Sequence, residues 1–308
     1  MSPGLETKRR RALASGCKSA IWCSAMTPSL RHQTAVARGE SVPVTIVEPD
    51  GGSAPRGDLL FLHGYARHPE DYRELLEEIA GRGYRIVAPF LFANNGLRRP
   101  PRHFWSCAAL AWRTIEALHA DGTLAPGAPA FGHSTGGAVV MTLGALDPPP
   151  RALLAMNPVQ PSSRRPLAFM LSSAWMNTKM WFGLAGEGRR ARRVLSSSSP
   201  RFYANWFRDP CAAFELIGGL RAYGYDRLVR WYEPNLPSSV PARVLYGCGD
   251  EFYPSADGLE AGLRRVFLHF DLIQLERENS HEWLMIRTER AADELERFLA
   301  GTESGPTS

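Results

Sequence analysis

Gly132-His133-Ser134-Thr135-Gly136-Gly137 is the stretch that decides the fold, because it matches the pattern G-x-S-x-G. An apolar run over 129–132 precedes it, and a pattern rich in Ala, Val and Leu follows it to about residue 146. A strand that turns sharply into a helix strains its apex residue and leaves little room beside it, so glycines flank the apex. The stretch predicts Ser134 at such a turn, with its hydroxyl exposed as a nucleophile. An ordinary helix start with Ser134 as N-cap is the alternative, and the strand before it favours the nucleophile.

Outward from this turn, short β-type runs alternate with helical patterns. The predicted strands are 42–47, 58–62, 85–89, 129–132, 152–157, 243–246 and 270–275. The predicted helices are 69–82, 103–119, 134–146, 256–266 and 283–300. This alternation is typical of an α/β fold with a mostly parallel central sheet and helices on both faces.

Residues 157–240 interrupt the alternation and hold 13 of the 31 aromatic residues. We predict a helical cap there, inserted into a core formed by 39–156 and 241–300. A basic, disordered leader over 1–38 and a disordered tail over 301–308 complete the predicted organisation. The cap aromatics either line an acyl pocket and approach an anionic membrane surface, or form a small core that joins the cap to the body. The sequence leaves both readings open.

The charge of the chain is unevenly distributed, which bears on its partners. The net charge is +5, but the leader carries +6 and the cap +7, so the remainder carries −8. An acidic body is no platform for nucleic acid, so we expect no nucleic-acid partner. At most, the leader or cap makes a weak contact with an anionic membrane surface.

The cysteines and the N-terminus indicate the compartment. The five cysteines are an odd number without a C-x-x-C pair, so we expect neither a disulfide framework nor a metal site. After the basic run 8–11, the apolar stretch ends at Lys18, which is too early for a signal peptide. The sequence therefore favours a cytoplasmic protein over an exported or lipidated one, and it implies no cofactor.

A serine nucleophile needs a histidine base and a carboxylate that holds the histidine in one tautomer. Of the eight histidines, only His281 follows the last predicted strand and precedes the last helix. The acid is predicted to be Asp250, because it ends an apolar strand at the sheet edge where ligands bind in this class of fold. Glu251 and Asp257 are the alternatives for the acid, with Asp250 then only a turn residue.

Backbone N–H groups must also stabilise the oxyanion that forms when the serine attacks a carbonyl carbon. The N–H of Thr135 is the first predicted donor. The second is the N–H of Tyr65, in the loop after strand 58–62, with Ala66 as the alternative. The side chain of His63 in that loop is predicted to be structural.

Four motifs in this order resemble the α/β-hydrolase superfamily, especially its esterase, lipase and lysophospholipase-like members. They are His63-Gly64-Tyr65, Gly132-His133-Ser134-Thr135-Gly136-Gly137, Gly249-Asp250 and Ser280-His281, and the likeness covers roughly 40–300. Monoglyceride-lipase-like relatives usually carry Asp-x-x-Gly-x-Gly after the strand 85–89, whereas this chain has Phe90-Leu91-Phe92-Ala93-Asn94-Asn95-Gly96. The resemblance therefore implies the fold and the triad and does not identify the substrate.

The expected function is hydrolysis of a small-molecule carboxylic ester with an apolar acyl group, through an acyl-enzyme. An acyltransferase, thioesterase or amidase would use the same residues. A non-catalytic protein that keeps this fold as a ligand pocket is the alternative from another class, and the intact Ser134, Asp250 and His281 argue against it. Nothing in the sequence indicates the oligomeric state.

Overall fold

The computed structural model describes residues 28–49, 54–65, 67–91, 104–159, 175, 225–233, 235–248, 250, 257–276, 278 and 281–303. These residues form one eight-stranded sheet with helices on both faces. The predicted α/β fold class is thus confirmed.

The sheet has the strand order β1-β2-β4-β3-β5-β6-β7-β8. Its strands are β1 (Ser29–Ala37), β2 (Glu40–Glu48), β3 (Gly57–Leu62), β4 (Tyr84–Pro89), β5 (Ala130–His133), β6 (Leu153–Met156), β7 (Ala242–Gly247) and β8 (Phe270–Leu275). The first two strands pair antiparallel with each other, β2 pairs antiparallel with β4, and all other pairs are parallel.

The α-helices divide between the two faces of the sheet. They are α1 (Arg73–Gly81), α2 (Phe104–Ala120), α3 (Thr135–Val140), α4 (Tyr225–Tyr232), α5 (Asp257–Arg264), α6 (Trp283–Ile286) and α7 (Thr288–Glu303). Side chains alternate across β3, so Leu60 and Leu62 join the apolar core under α2 and α3, whereas Leu59 and Phe61 join the core under α1 and α7. Burying one such side chain stabilises the fold by about 1.5–3 kcal/mol.

The parallel strands bring their carboxyl ends to one edge of the sheet. His63 directly follows β3, Ser134 follows β5 and Asn157 follows β6. Asp250 lies three residues after β7, and His281 lies six residues after β8. Ligands bind at this edge in open α/β sheets, and the predicted site residues lie there.

Both chain ends differ from the sequence-based prediction. The assignment of 1–38 to a disordered leader is wrong for Ser29–Ala37, which pairs with β2 along its whole length as an edge strand. The assignment of 301–308 to a disordered tail is wrong for residues 301–303, because α7 continues to Glu303. Residues 1–27 and 304–308 lie outside the described residues.

The predicted cap over 157–240 falls largely outside the described residues. Its last part, α4, packs on the body of the protein. The Tyr232 hydroxyl donates a hydrogen bond to the carbonyl oxygen of Met141 at 2.6 Å, and the Trp231 ring lies 4.7 Å from that of Trp105 and 5.0 Å from that of Trp112. These two aromatics therefore belong to the core that joins α4 to the body. In the part of the chain that the structure describes, no helix is long and apolar enough to span a membrane.

Candidate active site

Ser134 stands at the turn between β5 and α3 in a strained backbone conformation. Its φ is 55° and its ψ is −121°, which is rare for a residue with a side chain. Close approach to the end of β3 explains the glycines beside it. A methyl group at Gly136 would lie 2.1 Å from the carbonyl oxygen of Leu62, and one at Gly132 would lie 2.8 Å from the backbone of Gly136. Only glycine fits at these two positions.

The loop after β3 lies directly against the serine. A methyl group at Gly64 would lie 3.3 Å from Cβ of Ser134. This contact brings the neighbouring residue, Tyr65, to the same end of the sheet, with its ring partly buried against the apolar core. Thr135 is the first residue of α3, so its N–H has no acceptor within the helix. Thr135 thus directly follows Ser134, and Tyr65 directly follows the glycine that contacts Ser134.

Asp250 and His281 meet at the end of β7. His281 Nδ1 lies 3.0 Å from Oδ2 and 3.1 Å from Oδ1 of Asp250, and both residues are buried. A carboxylate only accepts hydrogen bonds, so Nδ1 carries the proton and Nε2 carries the lone pair. The imidazole is therefore held in the tautomer that a general base requires.

Two opposing effects act on the pKa of His281. Burial lowers it, because the charged imidazolium loses hydration. The negative charge of Asp250, the hydrogen bond to Asp250 and the charge of Glu282 raise it, and together they hold the pKa above its ordinary value of 6.5. The imidazolium is therefore stabilised in this site.

A chain of buried hydrogen bonds ties the loop of Gly64 to the loop of His281. The N–H of Gly64 donates to the Tyr72 hydroxyl oxygen at 3.0 Å, and that hydroxyl donates to His133 Nδ1 at 2.7 Å. His133 Nε2 then donates to the carbonyl oxygen of His281 at 2.9 Å. Burial lowers the pKa of His133 to about 3, so this ring is neutral and keeps one fixed tautomer.

A buried ion pair joins the same two loops a second time. Arg67 Nη2 lies 2.7 Å from Oε1 of Glu282, the residue after His281, with both side chains less than a tenth exposed. Burial raises the pKa of Glu282, but the charge of Arg67 overrides this effect, with further help from His281 and from the hydrogen bond of Arg67, and brings the pKa to about 2. Glu282 is therefore charged at neutral pH.

The segment between β8 and His281 is anchored by Glu278. This buried carboxylate forms ion pairs with Arg290 and with Arg287, whose Nε lies 3.2 Å from Oε2. The backbone of Glu278 also packs tightly on the end of β7, because a methyl group at Gly247 would lie 2.5 Å from the carbonyl oxygen of Glu278. Glu278 is thus fixed by ion pairs and by packing, three residues before His281.

The side chain of His63 is structural in its surroundings. Its Nδ1 donates to the carbonyl oxygen of Gly64 at 2.9 Å, and its Nε2 accepts from the N–H of Leu91 at 3.3 Å. Burial lowers its pKa to about 3. The ring therefore links the ends of β3 and β4 as a neutral group.

The structure places Ser134, Tyr65, Thr135, Asp250 and His281 at one edge of the sheet and pairs Asp250 with His281. The alternatives Ala66 and Glu251 lie outside the described residues, and Asp257 begins α5.

Sequence reasoning missed the buried polar residues that support the site, which are Arg67, Tyr72, Asn157 and Glu282. The adjacency of Glu282 to His281 was a signal for one of them, whereas the others are recognisable only from their distant partners. Among the described residues, no group of three or more His, Cys, Asp or Glu could hold a metal ion.

A comparison with protein-family models identifies the family of this chain. The model of the alpha/beta hydrolase family matches residues 59–296, which span β3 to α7 and include the serine, aspartate and histidine. The chain belongs to the alpha/beta hydrolase family. The resemblance inferred from its four motifs is thus confirmed.

Individual relatives of this alpha/beta hydrolase are distant in sequence. It is 27% identical over 259 residues to the magnesium-chelatase 30 kDa subunit of Rhodobacter capsulatus, covering 76% of this chain and 88% of that protein. It is 23% identical over 278 residues to a protein of a Mycobacterium phage named as a non-heme haloperoxidase, covering 86% and 93%.

Solved structures share the fold of this hydrolase at lower identity. The 2-hydroxy-6-oxo-6-phenylhexa-2,4-dienoate hydrolase of a Rhodococcus strain matches with a TM-score of 0.67 at 18% identity, covering 89% of this chain and 100% of that one. A haloalkane dehalogenase from Bradyrhizobium elkani matches with a TM-score of 0.60 at 18% identity, covering 90% and 99%. The names of these proteins cover different reactions. The likeness therefore shows the fold, and the substrate has to be inferred from the residues of the site.

Proposed function

We propose that this protein is a serine hydrolase that cleaves a carboxylic ester with an apolar acyl group through an acyl-enzyme. The proposal rests on the positions of Ser134, Asp250 and His281. Ser134 is held in a strained conformation against the loop of Gly64, at the same sheet edge where Asp250 fixes the tautomer of His281. A nucleophile at a sharp turn, with a histidine and carboxylate pair at the same edge, is the arrangement that acyl transfer requires.

The first half of the reaction forms the acyl-enzyme. His281 Nε2 takes the proton of the Ser134 hydroxyl as Oγ attacks the ester carbonyl carbon, and Asp250 stabilises the imidazolium that results. The N–H groups of Thr135 and Tyr65 donate to the oxyanion, and each such donor contributes about 3–4 kcal/mol to the transition state. The intermediate then collapses, His281 gives its proton to the leaving alcohol, and the acyl group stays on Ser134.

The second half releases the acid. His281 takes a proton from a water molecule, which attacks the acyl carbonyl carbon, and the same two N–H groups bind the new oxyanion. Collapse of this intermediate breaks the bond to Oγ, and His281 returns the proton to Ser134. The raised pKa of His281 favours the imidazolium that forms in both halves.

Apolar side chains at the carboxyl edge of the sheet support an apolar acyl group. The buried Phe90 directly follows β4 at the carboxyl edge of the sheet, and its ring lies 4.9 Å from that of His68. The partly buried Tyr65 packs on the apolar core beside the loop of Gly64. Such residues with a few polar groups between them are typical of pockets for small apolar ligands.

Labelling by a fluorophosphonate probe tests whether the protein is a serine hydrolase. We expect the wild-type protein to be labelled and the Ser134→Ala variant to remain unlabelled, because the probe reacts only with an activated serine. A wild-type protein that stays unlabelled would instead favour a non-catalytic ligand-binding role.

A series of p-nitrophenyl esters of increasing acyl length tests the substrate class. We expect kcat/KM to rise with chain length until the pocket is filled, since each buried methylene adds about 0.8 kcal/mol of binding. A rate that does not depend on acyl length contradicts the apolar acyl pocket. Matched amide and thioester substrates separate esterase activity from amidase and thioesterase activity.

A further inference from the structure

Asn157 occupies a fully buried position directly after β6. Its φ is 44°, a left-handed conformation that asparagine tolerates better than most residues. Its backbone N–H donates to the carbonyl oxygen of Leu245 at 2.7 Å, which ties it to β7. The side chain thereby points from the end of one strand into the space between β7 and the loop of His281, where all three of its partners lie.

Three hydrogen bonds of the Asn157 side chain demand a carboxamide. Oδ1 accepts from the N–H of Gly247 at 3.0 Å and from Trp283 Nε1 at 3.1 Å. Nδ2 donates to the carbonyl oxygen of His281 at 3.0 Å. Since two donors face one end of the side chain and an acceptor faces the other, the partners fix its orientation. An aspartate could not donate to His281, and an apolar residue would leave all three groups without this partner.

The hydrogen-bond partners of Asn157 lie in the two segments that carry Asp250 and His281. Gly247 ends the strand that leads to Asp250, and Trp283 lies two residues after His281. His281 itself is held through its carbonyl oxygen, which also accepts from His133. One side chain therefore sets the separation between the two segments that must meet in the hydrogen bond of His281 to Asp250.

We propose that Asn157 is a positioning residue for the reaction, which holds the imidazole of His281 in register with Asp250 and Ser134. The inference rests on the proposed serine hydrolase function and adds a residue outside the triad and the oxyanion donors. Asn157 acts through the backbone of His281, whose carbonyl oxygen accepts a hydrogen bond from its Nδ2. A displacement of about 1 Å in a catalytic group lowers the rate about 100-fold, so loss of this contact is expected to lower kcat on that scale.

The Asn157→Asp variant isolates the bond to His281. It keeps the shape of the side chain, the tolerance of positive φ and an acceptor for Gly247 and Trp283, but it places an oxygen against the carbonyl oxygen of His281. We expect kcat for a p-nitrophenyl ester to fall about 10- to 100-fold with KM nearly unchanged. The low-field proton resonance of the His281 to Asp250 hydrogen bond should shift or broaden.

Two further variants separate positioning from stability. Asn157→Gly retains the positive φ and removes all three bonds, so we expect at least the same loss of kcat together with a lower Tm. Tyr232→Phe is the matched control, because it also removes one buried hydrogen bond, but this bond joins α4 to the carbonyl oxygen of Met141 at the end of α3 and does not involve the loop of His281. We expect it to lower the Tm and leave kcat and the low-field resonance unchanged.

The outcomes distinguish this inference from the proposed function. A wild-type protein that does not react with the fluorophosphonate probe removes the proposed function, and with it this role. A wild-type protein that reacts, alongside an Asn157→Asp variant with the same kcat and resonance, overturns only the role of Asn157. A loss of activity in Asn157→Asp that merely follows its unfolded fraction, with the resonance of the folded fraction unchanged, overturns it too.

Discussion

His281 Nδ1 lies 3.0 Å from Oδ2 of Asp250, and both side chains are almost completely shielded from solvent. This single contact determines which nitrogen of His281 bears the proton and how strongly the imidazolium is stabilised. In the proposed mechanism Ser134 is the nucleophile, and a serine hydroxyl is a weak nucleophile without a base in the right tautomer. The proposed reaction therefore depends on the contact between these two residues.

Replacing Asp250 with asparagine tests the tautomer. In Asp250→Asn the carboxamide can donate to Nδ1, which moves the proton to Nε2 and disables the base. We expect kcat for a p-nitrophenyl ester to fall about 10⁴-fold, as expected for loss of the orienting carboxylate. The Tm, followed by circular dichroism, serves as the control for folding. A loss of less than about tenfold in a folded variant contradicts the assigned role of Asp250.

The pH dependence of the rate reports the charge of His281. The base acts in its neutral form, so kcat/KM should rise with pH along an acidic limb whose midpoint lies above 6.5, because Asp250 holds the pKa of His281 up. In Asp250→Asn the effect of burial is unopposed by this carboxylate, so the limb should move to lower pH. A limb that stays in place in the variant would show that Asp250 does not control this titration.

The buried ion pair of Arg67 and Glu282 is expected to stabilise the folded site. Arg67→Met leaves the Glu282 carboxylate buried without its partner, and the free energy of unfolding should fall by about 3–5 kcal/mol. Arg264→Met is the matched control, because its ion pair with Glu260 lies on the surface with side chains 57% and 41% exposed. It should lower the free energy by less than about 1 kcal/mol. Urea unfolding measures both, and equal effects contradict the argument.

The narrow space beside the serine turn is tested by adding one methyl group. Gly136→Ala would place a carbon 2.1 Å from the carbonyl oxygen of Leu62, so we expect a loss of more than about 3 kcal/mol in the free energy of unfolding and loss of probe labelling. Gly81→Ala adds the same group in α1 with nothing within 4 Å. It should raise stability by about 0.5–1 kcal/mol. A Gly136→Ala variant as stable and as reactive as wild type contradicts this account of the turn.

The sequence allowed the fold to be predicted wherever local pattern determines structure. The glycines around Ser134 follow from steric crowding at one turn, and the apolar runs of β3 to β7 follow from burial in a central sheet. The strand Ser29–Ala37 was missed because it lies at the sheet edge, where most of its side chains are accessible to solvent. Its sequence therefore shows only a weak alternation of polar and apolar residues. The terminal helix divides at Arg287, which adopts φ −119° and ψ 60°, a break that the apolar period does not reveal.

The supporting residues of the site could not be predicted because their roles depend on long-range contacts. Arg67 is 215 positions from Glu282, and Asn157 is 124 positions from His281. Neither Arg67 nor Asn157 lies in a short motif, and in the sequence each looks like an ordinary loop residue. Their partners become adjacent only when the sheet brings the carboxyl ends of its strands together. The triad residues were accessible from sequence because each follows a strand at a position that the fold makes recognisable.

Trapping the acyl-enzyme shows whether Ser134 forms a covalent bond to the acyl group during turnover. The protein is mixed with a p-nitrophenyl ester, quenched in acid within one turnover and measured by intact-mass and peptide mass spectrometry. We expect a mass increase equal to one acyl group, located on the peptide that contains Ser134 and lost in Ser134→Ala. Ester turnover with no acyl group on Ser134 at any quench time, or with equal rates in Ser134→Ala, would contradict this expectation.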